Sequence, residues 1–149
     1  MCKIDVEQLH KKFAVDFFNG TWDLIDKKDR TKEEIFEMIH MAHASRCHWG
    51  KIGGPLEFAR GEWQISRVYS LAGLGESALF HGEYSLELCE KNGIGDFDLA
   101  FGFEAVARAY KLLGNEEKKE QYILKARQAS EHIEDEGNKK YLLSELETI

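Results

Sequence analysis

Apolar residues recur every three or four positions along most of this chain. Alternating apolar and polar runs bounded by turn signals are absent, so the pattern predicts helices and no strands. Ile4, Leu9, Phe13 and Phe17 form a buried stripe on a first helix over about 4–18 that ends before Gly20. A short second helix carries Trp22 and Ile25. Thr31 followed by Glu34 is a capping box, in which hydroxyl and carboxylate each satisfy an orphan amide. The helix it opens runs to about Trp49, with Ile35, Met38, Ile39 and Ala42 at core spacing. The segment GKIGGP interrupts the pattern, and the chain's one proline, Pro55, suits the first turn of the next helix, where its missing donor is not needed. Further helices follow over about 76–91, from Asp96, after Asn115, and over about 139–146.

One stretch recurs. RGEWQISRVYSLAG, from Arg60 to Gly73, lies over FGFEAVARAYKLLG, from Phe101 to Gly114, at a shift of 41 residues. Gly61/Gly102, Arg67/Arg108, Tyr69/Tyr110, Leu71/Leu112 and Gly73/Gly114 are identical. The terminal glycine of each copy permits the left-handed turn that closes a helix. A small residue early in each helix lets a neighbour approach closely. Each unit is a helix, a tight turn and a second helix, and such a hairpin buries its apolar face only by stacking on a copy of itself. The expected architecture is all-α: a single domain over 1–149 of about seven or eight helices. It divides into N-terminal helices over 1–50, hairpin repeats over 55–95 and 96–134, and a capping helix over 138–147.

The spacing in VARAYKLLGNEEKKEQYILKA, with Ala107, Tyr110, Gly114, Ile123 and Ala126, is similar to the tetratricopeptide repeat. In the first copy Tyr69, Gly73 and Ala78 fit, while Gly82 and Ser85 stand where that family has a large apolar residue and an alanine. The period exceeds the usual ~34 residues and looks like the longer variant of kinesin light chains. The resemblance covers about 56–132; the first fifty residues do not align to it. It implies a right-handed superhelix of antiparallel hairpins that binds other proteins. It also implies that the first helix of each pair lines the concave face, which would place Arg60, Trp63, Arg67, Phe101, Glu104 and Arg108 in a groove for a protein or an acidic peptide. Residues 60, 63 and 67 share one side of a helix by geometry alone, roughly opposite Ile65 and Tyr69. Arginine forks and tryptophan surfaces are common at interface hot spots. The competing reading pairs Arg67 and Arg108 with carboxylates of neighbouring helices and sets Trp63 over the edge of the core.

Composition narrows the classes. The net charge is −7, whereas a nucleic-acid binder needs a basic surface. No apolar run approaches the ~18 residues of a membrane span, and the start, MCKIDVEQLHKKF, is too charged for a signal peptide. Three scattered cysteines, Cys2, Cys47 and Cys89, argue for reduced thiols in a cytoplasm, with Cys47 and Cys89 read as small apolar helix residues. The apolar ends of a short solenoid favour a homodimer.

Candidate chemistry is sparse. Glu62 falls on the packing side of its helix and needs a partner, with His43, His48 and His81 nearby. Glu37, His40, His43 and Cys47, with Glu7 and His10, resemble paired E-x-x-H helices of di-iron bundles, and Glu62, Glu83, Glu87 or Glu104 would complete such a site. Glu33, Glu37 and His40 lie on the polar side, however, and His10 is followed by two lysines, so these groups diverge. GKIGG lacks the phosphate-loop lysine spacing, and G-x-S-x-G is absent. The expectation is a scaffold without cofactor or enzymatic activity, the alternative being a metal-binding bundle using Glu37, His40 and His43.

Overall fold

The computed structural model describes residues 3–149 as seven helices: α1 (Val6–Ile25), α2 (Lys32–Ile52), α3 (Pro55–Leu71), α4 (Gly75–Lys91), α5 (Asp96–Leu112), α6 (Glu116–Ser130) and α7 (Glu136–Leu146). No strand occurs among the described residues. Successive helices pack as hairpins, α1 on α2, α3 on α4 and α5 on α6, and α7 closes the stack against α5 and α6.

Local signals account for most boundaries. Thr31 Oγ1 accepts the Glu34 amide at 3.1 Å and Glu34 Oε1 accepts the Thr31 amide at 3.0 Å, completing the expected capping box. The Lys27 ammonium, and after it the Thr31 amide, hold the Glu34 carboxyl down at about 2. Pro55 is the first residue of α3. Gly73 and Gly114 take the left-handed conformation, with φ of 78° and 73°, in the turns after α3 and α5.

The first hairpin departs from expectation. A single helix runs through Gly20 from Val6 to Ile25, replacing the two short ones. Thr21 Oγ1 donates to the Phe17 carbonyl at 2.7 Å within the helix, and a Cβ on Gly20 would come within 3.2 Å of Met41 Sδ, so this glycine serves close packing and not a break. Arg30 then closes the helix by donating to the Leu24 and Ile25 carbonyls at 3.1 and 3.0 Å. The predicted stripe is also corrected. Ile4 is 74% exposed, Leu9 and Phe13 are exposed, and Phe17 is half-buried, whereas Ala14 and Thr21 are buried. The reason is position: α1 has α2 on one flank and only the edge of α3 beyond it, so its outer side meets no further hairpin.

Elsewhere small residues set the helix spacing. A Cβ on Gly61 would meet Arg46 Cδ at 2.9 Å, and one on Gly102 would meet Leu86 Cα at 3.2 Å. The two positions that depart from the tetratricopeptide pattern have a similar cause. A Cβ on Gly82 would meet Ser66 Oγ at 3.0 Å, and Ser85 Oγ donates to the Ala59 carbonyl at 2.7 Å. These pairs draw α4 against α3 and α5 more closely than bulky residues would permit. Met38, Ala42, Ile65 and Val68 form one buried cluster, and Ala100, Phe101, Ala126, Ile133, Leu142 and Leu146 form a second beneath α7.

Curvature follows from which helices meet. The backbones of the odd-numbered helices approach in succession, α1 to α3 to α5 to α7, whereas those of α2 and α4, and of α4 and α6, stay further apart among the described residues. The stack therefore closes on its odd-numbered side. None of the described helices is long and apolar enough to cross a membrane.

Candidate functional site

The inner side of the stack carries a ladder at the repeat period. Trp22, Trp63, Glu104 and Glu145 stand 41 residues apart on α1, α3, α5 and α7, as do Gly20, Gly61 and Gly102 on the first three. The first hairpin is thus a further copy of the repeat, which the comparison of only two copies missed; the Trp22/Trp63 and Gly20/Gly61 spacings were the signal. The Trp22 and Trp63 rings stack at 5.7 Å, and Trp63 Nε1 donates to Glu104 Oε2 at 3.2 Å.

All six sequence-derived groove residues lie on this side, divided between two depressions. Arg60, Trp63 and Phe101 line the first, with Phe18 and Trp22 from α1, Phe97 and Asp98 from α5 and Tyr141 from α7. It holds about 110 Å³ of free volume and opens to solvent. Its walls are interlocked aromatics: Phe101 meets Trp63 edge-on at 5.5 Å and Phe97 at 4.5 Å, and Tyr141 lies 5.5 Å from Phe101. Arg60 stands at the rim and donates to the two Asp98 carboxylate oxygens from Nε and Nη2, at 2.8 and 3.1 Å. That bidentate contact raises the guanidinium above its usual range. Burial raises the Tyr141 phenol, so this ring carries no charge near neutral pH. Phe101 is itself core, buried beneath α7.

Glu104 forms the wall between the two depressions. Only 1% of it is exposed, and three donors from two helices satisfy it: Arg108 Nε at 2.7 Å from its own helix, and Arg67 at 3.3 Å and the Trp63 indole at 3.2 Å from α3. Arg67 also pairs with Glu145, and Arg108 reaches the Glu145 carbonyl at 3.1 Å and Thr148 Oγ1 at 2.8 Å. A buried carboxylate demands such partners because water cannot solvate it. Arg67 and Arg108 are therefore committed to the protein's own carboxylates, the arrangement in which they pair with neighbouring helices. Glu104 supplies that partner from within the expected groove set; Glu145 was not anticipated, since nothing local in the sequence brings α7 across α5.

The chain matches no family model, no curated protein and no solved structure.

The remaining candidate chemistry lies on the other side of α3. Glu62 is buried and takes His81 Nδ1 at 2.6 Å, with Arg46 Nε at 3.2 Å, so one of the three expected histidines is its partner. His43 turns to the Tyr69 hydroxyl at 2.8 Å, and burial, followed by the charge of His81, lowers its pKa. His48 pairs instead with His10, Nδ1 to Nδ1 at 2.9 Å, and one ring must donate to the other. Glu37 and His40 are exposed on α2. Among the described residues no three histidine, cysteine or carboxylate side chains converge as a metal site would require. Cys47 and Cys89 both lie on helices; Cys89 is buried, which pushes its thiol up to about 11, whereas Cys47 is exposed, and Cys2 lies outside the described residues.

Proposed function

We propose that this chain is a non-enzymatic binding scaffold, similar in kind to tetratricopeptide domains, that receives a segment of another protein along its odd-numbered helices. The observation that carries this reading is the open aromatic pocket. Four helices bring six aromatic rings to one depression, and the fold itself leaves it unfilled. A folded domain gains from burying such surface, and an entering side chain supplies the burial at about 25 cal/mol per Å². A volume of 110 Å³ suits one branched aliphatic or single-ring aromatic anchor. With Arg67 and Arg108 engaged by Glu104 and Glu145, and Arg60 at the rim by Asp98, the anchor is apolar. Free cysteines with a buried, unreactive Cys89 suit a reducing cytoplasm.

Peptide display against the purified protein, followed by titration monitored through the tryptophan fluorescence of Trp22 and Trp63, tests the proposal. Selected peptides are expected to share one apolar anchor. Tyr141→Asp, at a half-exposed pocket wall, is expected to weaken them at least tenfold while leaving the melting temperature near wild type. Equal binding by wild type and variant, or no peptide binding tighter than about 1 mM, overturns it.

A second reading has its own observation. Val6, Leu9 and Phe13 are exposed on α1, Phe13 resting on its inner edge against His48, and a second copy of the chain would bury them in a homodimer.

A further inference from the structure

The second depression, of about 320 Å³, lies between α3, α5 and α7 and differs in chemistry from the aromatic pocket. It is lined by Arg67, Ser70, Arg108, Lys111, Glu145 and Thr148 among others. Three cations thus face one carboxylate in a protein whose net charge is −7. Glu104 behind the wall offsets a second positive charge and leaves one unbalanced.

The donors are not all used. Arg67 directs its terminal nitrogens to Glu104 and Glu145, but its Nε is buried with no partner. Ser70 Oγ, one helical turn further along α3, is likewise buried with no partner. Lys111, one repeat period from Ser70, donates to the Thr148 carbonyl at 3.1 Å, which leaves two of its three ammonium hydrogens. Orphaned buried donors are costly, and a group accepting from them removes that cost. One water could accept from two of them but would leave the positive charge unbalanced.

We propose that this depression is a site for a small phosphate-bearing anion. A tetrahedral phosphate offers three acceptor oxygens to the Arg67 Nε, Ser70 hydroxyl and Lys111 ammonium, and brings the missing negative charge; a carboxylate has two oxygens for three donors. Free phosphate and a small phosphate monoester share this chemistry. The site is separate from the aromatic pocket and does not depend on peptide binding there.

The test titrates inorganic phosphate, glycerol phosphate, acetate and chloride, at matched ionic strength, into ¹⁵N-labelled wild type, Ser70→Ala and Lys111→Gln. Saturable shifts of the Ser70, Lys111 and Thr148 amides with phosphate or glycerol phosphate are expected, the tighter of the two naming the source. Each variant should weaken binding about tenfold, since each loses one charge-assisted hydrogen bond. Shifts that chloride reproduces, acetate binding as tightly as phosphate, or unchanged affinity in both variants each overturn the proposal. Unchanged thermal melts of the two variants guard against misfolding, because Lys111 is exposed and Ser70→Ala removes only a hydroxyl that has no partner.

Discussion

Removing Arg67 and Arg108 together tests the central claim about the inner face, that these side chains hold the fold by satisfying Glu104. Each arginine alone leaves the other on the carboxylate, because Arg67 approaches Glu104 Oε1 at 3.3 Å and Arg108 approaches the same oxygen at 2.7 Å. Each single alanine variant should therefore lose about 1–2 kcal/mol, the scale of one hydrogen bond to a charged group. The double variant strands a carboxylate that is 1% exposed with only the Trp63 indole as donor. Breaking a buried ion pair from one side costs about 3–5 kcal/mol. Arg67 and Arg108 are themselves 14% and 15% exposed, so water reaches part of the network and the lower half of that range applies. The loss should thus exceed or match the sum of the singles and approach that of Tyr69→Ala, which removes a half-buried ring and its hydrogen bond to His43. Adding Glu104→Met to the double variant should restore stability, since the stranded charge is gone. Urea unfolding of the four variants, read at constant m-value, supplies the numbers. A double variant within about 1 kcal/mol of wild type, or no recovery on Glu104→Met, refutes the reasoning and returns the arginines to the role of free groove residues.

Three further outcomes are expected. Gly73→Ala and Gly114→Ala, at φ of 78° and 73° with open space around each, should each cost about 1–2 kcal/mol in urea unfolding through backbone strain alone, and losses near zero would contradict the helix-closing role. His43 has a folded pKa below its free value, so the unfolded chain binds the extra proton first as pH falls, and stability declines from about pH 6.5 downward; His43→Gln should flatten that slope, and an unchanged slope would locate the sensitivity elsewhere. Light scattering at micromolar concentration should give about twice the 17.1 kDa chain mass, reverting to monomer on Phe13→Glu, and a monomer mass at all concentrations removes the second reading.

Helices were legible in the sequence because their causes are local. Apolar spacing, the Thr31 and Glu34 box, Pro55 at a first turn and the glycines of two helix ends act within a few residues of themselves. The period of 41 was legible for the same reason, since matching positions in stacked hairpins face matching surroundings. The first hairpin escaped because its copy of the repeat keeps only scattered identities in register, Gly20 and Trp22 among them, while much of its apolar stripe faces water. Periodicity identifies a face of a helix, but it does not say whether another helix lies beyond it.

The six groove residues show the same division. Their shared side of the stack follows from helical geometry, so the sequence sufficed to group them. Whether an arginine there is free or engaged depends on which carboxylate the neighbouring turns deliver. Glu104 comes one repeat later, and Glu145 comes across from α7, at separations of 37 and 78 residues from Arg67. The aromatic pocket likewise assembles Phe18, Trp63, Phe97 and Tyr141 from four helices. Local propensity has no hold on contacts at such distances, and only the stacking of the hairpins decided them.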